Sequence, residues 1–367
     1  MTGKLTALTR SLARVPSHED ESAVAADLAD WLRDETDADV TVDEADNVLA
    51  RRGDGEPTLA LVGHHDTVAP ADAQVAARDP DGTPTELEVS ERDGRLYGRG
   101  TADMKGPLAA CCLAFRDATP ETGSLVLASF AGEETGGAGA RHAIDAGFAP
   151  DCAVVAEGST GYSAPGVTDV AVGHKGRRGS TVTARGAAAH ASEPENGENA
   201  VYRACDAIDV LRDLDAPAAD VLGHEVTGSV VVTEIEGGSG WNVVPERCTL
   251  TVDERTVPDA RADLGRVEGL DGVEWTVDQD LPPMRCDDPD FADDVLAAAD
   301  AVQDGDPEQV VKPHATDAGW LAAAGTTCVV CGACEPGEAH TDDESVSVAV
   351  LARCRELYGR VADRVVG

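Results

Sequence analysis

Apolar residues along the chain fall into short uninterrupted runs and longer stretches with helical spacing. The runs Pro57–Val62, Ser124–Phe130, Cys152–Ala156 and Thr327–Val330 are bounded by polar residues and glycines, which predicts buried strands. Val40–Val42 and Val48–Ala50 predict two shorter strands. Leu, Ala and Trp recur at helical spacing over residues 4–14 and 20–35, and Ser17 with Asp20 resembles a capping box. Further helices are expected over 107–117, 290–303 and 345–363, with the segment 308–324 continuing the strand–helix pattern. The polar stretch 71–94 reads as loop plus an edge hairpin. Strands that alternate with helices predict an α/β unit.

The pattern changes near residue 173. Strands are predicted at Ser180–Ala184, Ser229–Ile235, Thr249–Asp253 and Val273–Val277, with helices over 198–213 and 258–265. That order is the ferredoxin-like one. We therefore expect two domains. Residues 1–172 and 285–367 form an α/β domain around a central mixed sheet. Residues 173–284 form an inserted α+β domain. A chain of 367 residues with 42% apolar content can bury both cores.

No apolar run reaches the ~18 residues of a membrane span, and the N-terminus lacks a signal pattern. The expectation is a soluble, cytoplasmic protein. The formal net charge is -40, and the only lysines are Lys4, Lys105, Lys175 and Lys312. Such a charge repels nucleic acid and anionic membranes, so neither is expected as a partner. It is tolerated when salt screens it, which points to a halophilic source. The ten cysteines lie mostly in apolar segments and are expected to be reduced. Cys328, Cys331 and Cys334 form C-x2-C-x2-C but lack a nearby fourth thiol, which disfavours a closed thiolate site.

Candidate chemistry sits where strands end. Gly63-His64-His65-Asp66 follows the first long run, at the end of a strand where open α/β sheets bind ligands. Strand alternation turns His64 and Asp66 one way and His65 the other. Glu133-Glu134 follows the second run and Glu157 the third. Asp103 lies in the Gly-rich stretch 97–106, where a helix N-cap is the competing role, and His340 precedes the last helix. Adjacent carboxylates repel unless a cation or proton lies between them. A solvated acidic surface is the plain alternative for each alone, but three strand ends and a loop each supply His, Asp or Glu.

Together these residues resemble the dinuclear-zinc amidohydrolases, the family of acetylornithine deacetylase, succinyl-diaminopimelate desuccinylase, aminoacylases and carboxypeptidase G. The resemblance rests on Gly63–Asp66, Gly98–Gly106, Glu133-Glu134, Glu157 and Ala339-His340. It extends to Ala189–Ala200, Gly237-Gly238, Asn242–Pro245 and Asp253–Arg255 in the inserted domain, which look like the family's lid motifs.

The resemblance implies two divalent cations per subunit, zinc or else cobalt or manganese. His64 and Glu157 would bind one, Glu134 and His340 the other, and Asp103 would bridge them. Asp66 would orient His64, and Glu133 would be the general base. His190 would stabilise the oxyanion after domain closure, from the partner subunit of a homodimer joined through the lid. Arg177 or Arg178, and Arg255, would grip substrate carboxylates, while Asn242 and Thr316 would contact substrate. A cis peptide is implied after Asp103. The implied reaction is hydrolysis of the amide of a small N-acyl amino acid. The paired Arg177-Arg178 favours several carboxylates, which puts N-succinyl-LL-2,6-diaminopimelate first and N-acetylornithine second. Carrier-protein-linked lysine or ornithine and C-terminal peptides or dipeptides are further options. A purely metal-binding protein needs no base, so Glu133 argues for an enzyme.

Overall fold

The computed structural model describes residues 2–367. In chain order the longer strands of the two main sheets are β1 (Asp39–Val42), β2 (Val48–Arg52), β3 (Thr58–His64), β4 (Ser124–Phe130), β5 (Cys152–Val155) and β6 (Val170–His174). They continue as β7 (Arg177–Arg185), β8 (Ser229–Gly237), β9 (Arg247–Arg255), β10 (Val273–Leu281), β11 (Gln309–Lys312) and β12 (Thr327–Val330). The helices are α1 (Thr2–Arg14), α2 (Ser22–Glu35), α3 (Lys105–Asp117), α4 (Ala138–Asp145), α5 (Ala200–Arg212), α6 (Pro289–Asp300), α7 (Asp317–Ala323) and α8 (Val348–Val365). The chain divides into two compact units. One comprises residues up to Gly173 with Arg285–Lys312 and Thr316–Gly367, and the other His174–Met284 with Pro313–Ala315.

The larger unit is an α/β domain around a mixed sheet in the order β1-β2-β4-β3-β5-β12-β6, with β11 also on β6. Strands β4, β3, β5 and β12 are mutually parallel, while β1 and β2 run antiparallel at one edge. Every residue of β3 and β4 is buried, as expected of parallel strands covered on both faces. Helix α3 packs on β3 and β4, and α1 and α8 pack on α3. Parallel pairing puts the C-terminal ends of β3, β4 and β5 along one edge, which gathers His64, Glu133, Glu134 and Glu157.

Local differences from the expected elements have local causes. Ser17 does not cap α2: its hydroxyl donates to the His65 carbonyl at 2.7 Å, and its own carbonyl accepts from Thr67 N–H at 3.1 Å. Asp20 instead accepts from Ser22 N–H at 2.9 Å, just before α2 begins. Ser345–Ser347 is a strand paired with Arg95–Tyr97, so the last helix starts at Val348 with Ser347 as its cap. Helix α4 and strand β6 add to the expected elements; α4 has only eight residues, too few to show a clear period.

The smaller unit is a four-stranded antiparallel sheet in the order β8-β9-β7-β10, the ferredoxin-like arrangement. Ala200, Ala204, Ala207 and Leu211 of α5 pack on Val182, Ala184, Cys248, Leu250 and Val252. Their small side chains let the helix approach the sheet closely. The helix expected over 258–265 does not form. Asp259 has φ 62, a left-handed conformation that an α-helix excludes, and Val257 pairs with Ala260 in a tight turn. A 3-10 turn over Leu264–Gly269 takes its place and buries Leu264 and Val267.

Candidate metal centre

Asp103 is the hinge of the arrangement. Its Oδ1 lies 3.2 Å from His64 Nε2, and its Oδ2 lies 3.0 Å from His340 Nε2. His64 Nε2 also faces Glu157 Oε1 at 3.1 Å, and His340 Nε2 also faces Glu134 Oε1 at 2.9 Å. Two sets of ligand atoms result, His64/Asp103/Glu157 and Asp103/Glu134/His340, each with its atoms within 4.8 Å of one another. Asp103 belongs to both.

This donor set fits a pair of divalent cations. Each imidazole turns one Nε2 toward two carboxylate oxygens, yet a neutral ring has at most one N–H there. Imidazole nitrogen with carboxylate oxygen is the ligand chemistry of zinc and its neighbours. Without cations the groups share protons. Burial pushes His64 down, but Asp66, Asp103 and Glu157 outweigh it and hold its pKa well above the ordinary imidazole value. Hydrogen bonds to Asp103 and then Glu134 raise His340 to about 10. Burial opposes ionisation of Asp103, but His340 and His64 overcome it and keep the carboxylate charged.

The surroundings orient these donors. Asp66 Oδ1 lies 3.2 Å from His64 Nδ1, and Asp66 Oδ2 accepts the Glu134 N–H at 3.0 Å. One carboxylate thus touches a residue of each set. His65 turns away, as alternation requires, and its Nδ1 meets Ser129 Oγ at 2.8 Å. Burial lowers its pKa to about 3, so it stays neutral. Asp103 caps no helix; its peptide bond to Met104 is cis.

Glu133 and Glu134 occupy a tight turn after β4. Gly137 closes it with φ 72, and a Cβ there would lie 2.4 Å from Trp320 Nε1. Glu133 is held well above the ordinary carboxylate range. Burial is the largest cause; His64 opposes it, and Asp317, Glu157 and Asp103 add to it.

Three contributors had no sequence signal beyond their residue type. Glu344 is buried and accepts the N–H groups of Ala102 at 3.0 Å and Asp103 at 3.2 Å, while its other oxygen pairs with Arg99 at 2.6 Å. Lys312 lies against Glu157. Asp317 is buried with neither carboxyl oxygen hydrogen-bonded, and burial raises it to about 7. A buried acid in a ring of acids could have suggested Asp317, but its distance in sequence hid the neighbourhood.

The residues expected to hold substrate are dispersed. Thr316 is buried and caps α7, accepting from Ala318 N–H at 3.2 Å. In the smaller unit, Asn242 Nδ2 lies 3.2 Å from His190 Nε2. Arg255 and Arg177 flank one carboxylate: their Nε atoms reach Asp253 at 2.8 and 2.7 Å. Arg178 corrects its expectation. Its Nε donates to Glu254 at 2.5 Å, its Nη2 donates to the Ala262 carbonyl at 2.7 Å, and its guanidinium lies over Trp275. Alternation along β7 puts it on the buried face, as an interior ion pair. The ten cysteines are free thiols, and Cys328, Cys331 and Cys334 are each buried. Among the described residues, no helix is long and apolar enough to cross a membrane.

The sequence profile described as peptidase family M20/M25/M40 matches residues 60–364. A protein of Staphylococcus epidermidis named probable succinyl-diaminopimelate desuccinylase is 30% identical over 285 residues, covering 68% of each chain. The acetylornithine deacetylase of Pectobacterium atrosepticum is 30% identical over 339 residues, covering 86% of this chain and 82% of its own. A tripeptidase of Staphylococcus aureus superposes with TM-score 0.79 at 20% identity, covering 100% of this chain and 99% of its own.

Proposed function

The chain belongs to peptidase family M20/M25/M40 and is a metal-dependent hydrolase of amide bonds, and from that premise we propose that it desuccinylates N-succinyl-LL-2,6-diaminopimelate. The observation that carries the chemistry is the Asp103 carboxylate set between two imidazole–carboxylate pairs, with the buried Glu133 carboxyl in electrostatic reach of His64, Glu157 and Asp103. The substrate choice is supported by the Staphylococcus epidermidis relative. It is also supported by Arg177 and Arg255, which are partly exposed and together exceed the charge of the single Asp253 between them. Such a pair suits a substrate with several carboxylates. N-acetylornithine is the second reading, favoured by the wider coverage of the Pectobacterium relative.

We assign His64, Asp103 and Glu157 to one cation and Asp103, Glu134 and His340 to the other, with zinc first and cobalt or manganese as alternatives. When bound, two such cations lower the pKa of a water and polarise the scissile carbonyl. Asp66 holds the His64 ring so that Nε2 faces inward. Glu133 takes a proton from the attacking water and delivers it to the leaving amine nitrogen, the usual double role of a raised carboxylate. His190 donates to the developing oxyanion. Ser192 N–H donates to His190 Nδ1 at 3.2 Å, which leaves Nε2 as the ring nitrogen free to face substrate. Asn242, Thr316 and Arg255 are the proposed substrate contacts.

A homodimer through the inserted domain is part of the same reading. β8 is an edge strand of its sheet and exposes Val231 and Ile235, and Trp241 and Tyr202 are also exposed. An apolar edge of this kind invites a second copy. Light scattering in molar salt should give twice the 37.9 kDa chain mass.

The deciding experiment measures hydrolysis of N-succinyl-diaminopimelate, N-acetylornithine, a dipeptide and a carrier-linked lysine side by side. It is run in molar salt with added Zn²⁺ or Co²⁺, and with a chelator control. Preference for the succinyl substrate, abolished by the chelator, is expected. Preference for any other sinks the substrate assignment, and activity untouched by chelation sinks the role of the cations.

A further inference from the structure

We propose that Lys312 makes the two cation positions unequal, weakening the one built from His64, Asp103 and Glu157 so that the Asp103/Glu134/His340 position fills first. The inference rests on the ligand assignment proposed above.

Lys312 ends β11, and its side chain is 8% exposed. Its Nζ donates to the Gly158 carbonyl at 2.9 Å and lies 3.5 Å from Glu157 Oε2. A buried ammonium is costly unless paired, and Glu157 is its only ion-pair partner among the described residues. The charge therefore stays at this spot.

Two consequences follow for a cation arriving next to Glu157. First, the carboxylate is divided. Oε1 faces His64 at 3.1 Å, while Oε2 is engaged by Lys312 and by Gly158 N–H at 3.3 Å. Glu157 thus offers one oxygen, already polarised by a neighbouring charge. Second, a fixed positive charge close by in a water-poor pocket repels a dication directly. Among the described residues no such charge is paired with Glu134 at the other position. Among the described residues, Glu134 has only His340 as ion-pair partner, and His340 sheds its proton when it ligates. Asp103 is common to both sets and cannot produce a difference.

The same contact gives Lys312 a positioning role. By holding Oε2 it keeps Oε1 turned to His64, so a neutral replacement frees Glu157 to present both oxygens. Loss of Lys312 is therefore expected to tighten the weaker position, the reverse of what removing an ordinary structural contact does.

The test is titration of the metal-free full-length protein with Zn²⁺ against a chromophoric chelator in molar salt. Absorption of bound Co²⁺ provides a second readout. Wild type should take up two ions in steps separated by about tenfold or more, and Glu157→Gln should abolish the weaker step. Lys312→Met and Lys312→Gln should each tighten the weaker step by about tenfold and change the stronger one less. Lys312→Arg should behave as wild type. Thermal melts identify a neutral variant that fails to fold, and the other neutral variant then decides. Two ions in wild type, with both constants unchanged or the weaker one loosened in the neutral variants, overturns the role of Lys312 alone. So does loss of the tighter step in Glu157→Gln. Fewer than two ions in wild type overturns the ligand assignment, and this inference with it.

Discussion

The carboxylate of Glu344 accepts the backbone N–H of Asp103 at 3.2 Å, so the residue four places after His340 holds the residue that His340 faces. Glu344 also pairs with buried Arg99, joining the two loops in one polar network. Glu344→Ala leaves Arg99 buried without its partner, which is expected to cost about 3–5 kcal/mol of stability. Glu344→Gln keeps an acceptor for both N–H groups and is expected to cost less. Denaturant melts of both variants in high salt check the order. A Glu344→Ala protein as stable as wild type would remove the network from the account.

Asp66 touches His64 through one oxygen and the Glu134 N–H through the other. Asp66→Asn keeps the shape but loses the charge behind the imidazole. Cation affinity or turnover should fall about 10–100-fold, in line with other supporting carboxylates. Equilibrium dialysis with Zn²⁺ measures the first and initial rates the second.

His340 ties ion uptake to pH. In the ion-free protein its pKa is raised to about 10, so it is protonated at neutral pH. A ligating imidazole is neutral, so uptake must release that proton. Cation affinity should therefore rise with pH up to about 10, and an indicator dye should register release at pH 7.5 that His340→Ala diminishes. The raised value also signs the stability of the ion-free protein. The contribution of His340 is complete below the ordinary value of 6.5 and is lost as pH rises through about 10.

Glu133→Gln separates binding from turnover. Glu133 belongs to neither set of ligand atoms, so the variant should still take up two ions. Without a base, kcat should drop by about 10²–10⁴. Retained turnover would pass the proton transfer to another group, with Asp317 the nearest alternative on charge grounds.

The formal charge of -40 should make stability depend on salt. Raising KCl from about 0.1 to 3 M shortens the screening length from ~10 Å to under ~3 Å. The midpoint of thermal unfolding should rise by on the order of 10 °C across that range. A midpoint independent of salt would refute a halophilic adaptation.

What the sequence determined by itself is local. An uninterrupted apolar run shows a buried strand because burial on both faces excludes polar residues throughout, as in β3 and β4. The polar residues that end such a run are thereby placed at the strand's end, so His64, Glu133, Glu134 and Glu157 are legible in the sequence alone. The motif pattern placed Asp103 and His340 in the same family site. The tertiary structure decided which atoms meet. Asp103 divides its two oxygens between His64 and His340 because of how the Gly-rich loop and the loop before α8 pack, and neither segment encodes that alone. Packing also took Arg178 into the interior, since only the partner across the sheet shows which face of β7 is covered. Glu344 and Lys312 read as two more charges in a highly charged chain. Their roles come from burial beside specific partners, and that proximity is set by the fold rather than by spacing along the chain.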